Sequence, residues 1–223
     1  MTSLAAWKTL DDDGRRVALD GLLERLPTWL ELLDFVAQPR FRDARSGETW
    51  RLFTGGPVTM GLTPEREAGI EALRLRDPLL LFDPTPYLPV REVTVAPFFL
   101  METPILEEDG EPRVLVMDAM RDHQSMLAAR EQRLPTEAEW EFAWAAVQTQ
   151  PANWMLGSFE LVADGWRADL HELEGVDPLV SGGPSVLKTV SSNAFDLESI
   201  IPLRQPYSGM RIATIRCALD VPR

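Results

Sequence analysis

A single cysteine, Cys217, is all the thiol chemistry in the 223 residues, so no disulfide can close within the chain. That fits a reducing compartment. Histidine is nearly as scarce, with only His123 and His171, in unrelated segments. A two-histidine, one-carboxylate iron site would need both to converge. No apolar run approaches the roughly 20 residues that span a bilayer, and the longest, Leu79 to Phe82, is short and proline-flanked. The opening segment lacks a basic stretch followed by an apolar one, which argues against a secretory leader. The expected location is cytoplasmic. Basic charge is in deficit: 22 Lys plus Arg face 35 Asp plus Glu, a net charge of −13. Such a surface disfavours phosphate backbones and anionic lipid, so neither nucleic acid nor membrane is an expected partner. No Gly-x-Ser-x-Gly, Walker A or Gly-x-Gly-x-x-Gly string occurs, which sets aside the common serine-hydrolase and nucleotide sites.

What is present is 45% hydrophobic content, enough for one core with a small appendage. Asp11, Asp12 and Asp13 suit a helix start, and Val17, Leu19, Leu22, Leu23 and Leu26 recur at helical spacing. Pro27 then suits the first turn of a second helix through Val36. These two helices form an N-terminal extension over residues 1–45. They cover the main domain or dock a partner protein. From Thr49 the pattern alternates as in a strand, with a turn at Gly55-Gly56-Pro57. A helix is expected over 63–76, capped by Thr63 with Pro64 in its first turn. Four prolines within 77–89 make that stretch loop. Residues 91–100 read as one strand, 107–110 as a turn, and 118–130 as a helix capped by Asp118. A helix over 137–147 opens on Thr136-Glu137-Ala138-Glu139, the capping-box spacing. Trp140 and Trp144 stand four apart on it, which points to core packing. Short strands and loops follow.

Several strings, in order, resemble one known family. Gly55-Gly56-Pro57-Val58-Thr59-Met60-Gly61 is similar to the opening Gly-Gly-x-Phe-x-Met-Gly strand of the formylglycine-generating-enzyme (sulfatase-modifying-factor) family. Pro89 to Phe98 resembles its Pro-x-His-x-Val-x-Val-x-x-Phe strand, with Arg91 in place of histidine. Met101 to Ile105 and Val116 to Met120 resemble the next two segments. Leu134-Pro135-Thr136-Glu137-Ala138-Glu139-Trp140-Glu141-Phe142-Ala143 resembles the family signature and is the most specific string. Met155 to Asp164 resembles Met-x-Gly-Asn-Val-Trp-Glu-Trp, one residue short and with Ser158 for asparagine. Val186 to Ser191 stands where Val-Leu-Arg-Gly-Gly-Ser is usual, both glycines lost. Gly209-Met210-Arg211-Ile212-Ala213 resembles the terminal Gly-Phe-Arg-x-Ala strand.

The resemblance covers about residues 48–216 and implies an α+β, elaborated C-type-lectin-like fold with irregular loops over 46–223. The signature positions Gly61, Leu134, Pro135, Thr136, Glu137, Trp140, Gly209 and Arg211 are then structural. The family oxidase holds copper(I) on two cysteines between its last two motifs. The matching stretch here, 192–208, has none, and lone Cys217 reads as a small core residue. The resemblance therefore implies a bacterial pseudoenzyme: a catalytically inactive domain that binds or scaffolds protein, with no catalytic residue and no assured cofactor. Calcium is the ligand left open, through Glu160 and Asp164. Otherwise Glu160 makes a structural hydrogen bond or ion pair. The alternative is a metal-dependent oxidoreductase with rebuilt chemistry at His171, Asp169, Glu160 and Asp164.

Overall fold

The computed structural model describes residues 7, 9–35, 38–105, 120–147, 159–165, 185–189, 201, 203–206 and 214–222. Helix α1 (Asp12–Leu23) begins where the Asp11 carboxylate accepts a hydrogen bond from the Gly14 amide at 2.8 Å. Its Ala18, Leu19 and Leu22, three and four apart, are buried and pack with Phe41, Trp50 and Leu52.

The second expected helix is a strand. Residues 27–30 form a turn, with the Leu30 amide donating to the Pro27 carbonyl at 3.0 Å. Strand β1 (Leu30–Asp34) then pairs antiparallel with β2 (Arg40–Asp43). The run Leu30-Glu31-Leu32-Leu33 fits either period. Pairing decides it, with Glu31 opposite Arg42 and ion-paired at 2.8 Å. Strands β1 and β2 therefore belong to the same sheet as the chain beyond 45, and of the two expected helices only α1 stands.

That sheet has five strands in the order β1-β2-β3-β6-β10, where β3 is Thr49–Phe53, β6 is Phe98–Met101 and β10 is Ala218–Asp220. A separate hairpin joins β4 (Gly56–Met60) to β5 (Arg91–Val95). The single strand expected over 91–100 is broken at Ala96-Pro97 into β5 and β6, which lie in different sheets. Pro97 has no amide to donate to a continuous ladder. Helix α2 (Pro64–Arg76) has Thr63 as its cap, accepting from the Arg66 amide. Helix α3 is Met120–Ala129, and α4 is Glu137–Val147. A three-stranded antiparallel sheet, β7 (Glu160–Gly165), β8 (Ser185–Thr189) and β9 (Leu203–Pro206), completes the α+β architecture. The expected turn at 107–110 and the Asp118 cap lie outside the described residues.

All four residues of β6 are buried, and they alternate between two core clusters. Phe99 and Met101 join the α1 side, while Phe98 and Leu100 join Val58, Val93, Phe142 and Trp144 on the α4 side. Successive strand residues point to opposite faces, so the five-stranded sheet separates α1 from α4. Two glycines make close approaches possible. Gly55 (φ 72°) would put a Cβ 2.3 Å from the Val95 carbonyl oxygen, and Gly61 (φ 97°) would put one 2.5 Å from that of Tyr87. Both contacts exclude any side chain.

Candidate functional site

Helix α4 is buried almost all round, yet it carries three glutamates. One of them, Glu139, structures its start. Thr136 Oγ1 accepts from the Glu139 amide at 3.1 Å, and Glu139 Oε2 accepts from the Thr136 amide at 2.7 Å. This is the reciprocal box expected from the spacing. Arg133 grips both oxygens of Glu139 at 2.6 and 2.7 Å. Burial alone would depress the Arg133 guanidinium, but the hydrogen bonds and charge of Glu139 outweigh it and raise its pKa. Asp164 Oδ2 accepts from the Glu137 amide at 2.5 Å, placing a carboxylate on the positive end of the helix.

The other two glutamates, Glu137 and Glu141, stand four apart and share a face. They close on Lys188 Nζ at 3.1 and 2.7 Å. Arg204 Nε donates to the second oxygen of Glu137 at 2.8 Å. Strand register explains the convergence. Glu160, Lys188 and Arg204 are direct cross-strand partners on β7, β8 and β9, so they form one row beneath α4. At the end of that row Glu160 takes Trp140 Nε1 at 3.0 Å and two nitrogens of Arg216 at 2.9 and 2.7 Å. Arg216 Nη1 reaches on to the carbonyls of Met101, at 3.0 Å, and Glu102. Lys188 and Glu160 are wholly buried.

Burial by itself would push the Glu137 carboxyl up. The Lys188 and Arg204 charges and the Arg204 hydrogen bond more than reverse this and hold it down to about 2. Nearby, burial pushes the Tyr87 hydroxyl up to about 12, although it accepts from the Arg204 amide at 3.1 Å. Arg91, whose side chain approaches Met60 Sδ at 3.9 Å, is lowered by burial despite the charges of Glu137 and Glu141.

The two residues expected to offer oxygens to calcium thus face nitrogen donors. Glu160 makes the ion pair that was the other reading, and Asp164 holds a helix amide. Among the described residues no group of three or more histidine, cysteine, aspartate or glutamate side chains could hold a metal. His171, Asp169, Gly209 and Arg211 lie outside those residues, and His123 is on α3 with its side chain outside them. Leu134 and Trp140 are buried in the two clusters, and Cys217 is buried with burial pushing its thiol up to about 12. Glu141, Lys188, Arg204 and Arg216 were not singled out from the sequence. The available signal is Glu137 and Glu141 at i, i+4 within a tryptophan-bearing helix that is apolar apart from them and the capping-box Glu139, which calls for buried cations.

No family model matches the chain, and no curated protein sequence matches it. Among solved structures it is similar to PvdO from Pseudomonas aeruginosa. The TM-score is 0.55 at 13% identity, over 80% of this chain and 97% of that one. At that identity the likeness is one of fold. Among the described residues no helix is long and apolar enough to cross a membrane.

Proposed function

We propose that the chain is a catalytically inactive domain of the formylglycine-generating-enzyme type, with the elaborated C-type-lectin-like fold, that serves as a protein-binding or scaffold module. The observation carrying this reading is the row beneath α4. Each of its carboxylates is engaged by Lys188, Arg204, Arg216 or Trp140 and so braces the helix, with Glu141 Oε2 facing Arg66 at 3.7 Å without a hydrogen bond. The geometry of Gly61 and of the Thr136–Glu139 box supports the family reading, and the cysteine-free stretch 192–208 supports the inactive one. A buried ion network of this kind fixes a frame on which loops can vary, and function then lies in surfaces grafted on it.

Elemental analysis of the purified full chain tests this reading. Copper and iron should each be far below one equivalent after dialysis, and calcium alone is compatible with the reading. One equivalent of copper or iron would replace the reading with an oxidoreductase one.

A further inference from the structure

Exposed apolar side chains gather on one segment. Among the described residues seven large hydrophobic side chains are exposed, and five of them (Leu75, Leu79, Leu81, Leu88 and Val90) fall within residues 75–90. Leu75, Leu79 and Leu81 are 87%, 85% and 93% exposed. Single exposed leucines are ordinary, but a run of them marks a surface that meets something.

The segment is held in this state from beneath. Helix α2 turns Ile70 and Leu73 inward, and Leu75 stands on its other side. Beyond the helix burial alternates, with Leu79 and Leu81 exposed and Leu80 and Phe82 half-buried. That is the pattern of an extended chain with one face outward. Phe82 stacks on buried Tyr87, ring centroids 5.3 Å apart, and its carbonyl accepts from Arg74 at 3.5 Å. Asp77 Oδ1 accepts from the Leu79 amide at 3.1 Å, and Asp83 Oδ1 accepts from the Thr85 amide at 2.9 Å. Both ends of the run are thereby pinned, so Leu79 and Leu81 cannot turn inward without breaking these contacts. Among the described residues Leu81 makes no backbone hydrogen bond, so the apolar run also offers an open edge for pairing.

Charge polarity and size indicate the occupant. Arg74 and Arg76 close α2 at one end of the run, and Asp83 stands at the other. Asp77, at the basic end, has its carboxylate turned onto the Leu79 amide. Antiparallel pairing of two copies about a two-fold axis sets each basic end against an acidic one. The five side chains expose on the order of 400 Å² of apolar surface. Two copies with their polar rims then bury on the order of 1,000 Å², the lower limit for a specific contact. A net charge of −13 disfavours an anionic bilayer as the occupant.

We infer that two copies of this chain pair through residues 75–90, antiparallel about a two-fold axis. Leu79 and Leu81 of one copy pack on those of the other, and Arg76 of each copy faces Asp83 of the other. At this size the dimer is weak, with Kd on the order of 10 µM. It is independent of the module reading, because metal content reads the same on monomer and dimer.

Sedimentation velocity of the full chain, from about 1 to about 200 µM, tests the pairing. The native chain should pass from monomer to dimer across that range. Leu79→Asp combined with Leu81→Asp should stay monomeric, with Tm within about 2 °C of the native chain because neither side chain is buried. Arg76→Glu and Asp83→Lys should each weaken the dimer about fivefold, and an equimolar mixture of the two should recover it, since opposite charges then face each other at both ends. A native chain that is monomeric throughout would overturn the inference, as would a double-aspartate variant that dimerises like the native chain. A mixture of the two charge variants no more dimeric than either alone would overturn the antiparallel arrangement. A monomeric native chain that co-sediments with phosphatidylcholine vesicles, and loses this with the double-aspartate change, would assign the face to a bilayer instead.

Discussion

Helices α1 and α4 cover opposite faces of one sheet by opposite means. Helix α1 buries Ala18, Leu19 and Leu22 and leaves its charged residues outside. Helix α4 buries nine of its eleven residues, three of them glutamates. On the α1 side cohesion comes from removing alkyl and aromatic surface from water, which is tolerant of detail. Beneath α4 it depends on each charge meeting its partner, because an unpaired buried charge is far more damaging than a missing methyl group. The first region should therefore lose stability gradually on substitution and the second abruptly.

The sharpest way to break that contrast is Lys188→Met. Among the described residues it leaves Glu141 with no ion pair but the distant Arg66, at 3.7 Å, and leaves Glu137 with Arg204. Denaturant unfolding should show a loss of about 3–5 kcal/mol. On the apolar side, Leu22→Ala in α1 should cost about 3 kcal/mol, as a partly collapsible cavity does. A smaller effect tests the helix start. Thr136→Ala removes one half of the capping box and should lower stability by about 1 kcal/mol in the same assay.

Acid should separate the two regions without mutation. Glu137 sits at about 2 when folded against an ordinary 4.5. Its contribution is complete above 4.5 and is lost as pH falls toward 2. Thermal melts of the native chain should be flat from pH 7 to 5 in this respect and fall below 4.5. In a Glu137→Gln variant that part of the acid dependence should be absent.

The same contrast explains what could be read from the sequence. Positions whose meaning is local were legible. Thr136 and Glu139 form the box their spacing requires, and Trp140 is core. The five-stranded sheet was only partly legible, since Leu30 to Asp34 fits helix and strand alike and only β2 decides between them. Pro97 carries the signal for the break between β5 and β6, because its missing amide outweighs the apolar run around it. The charge row was illegible because Glu160, Lys188 and Arg204 are distant in sequence, and only strand register brings them together. Without that register Glu160 and Asp164 read as oxygens for a cation; the register and the packing of α4 give them Arg216 and the Glu137 amide as donors.

The central claim is that the charges beneath α4 are matched to one another and serve the fold. The most direct measurement compares the unfolding free energy of Lys188→Met with that of Lys188→Met combined with Glu141→Gln. Removing the stranded carboxylate should recover most of the loss, leaving the double variant within about 1 kcal/mol of the native chain. A double variant that is less stable than Lys188→Met alone would contradict the account, because Glu141 would then have a role that does not pass through Lys188.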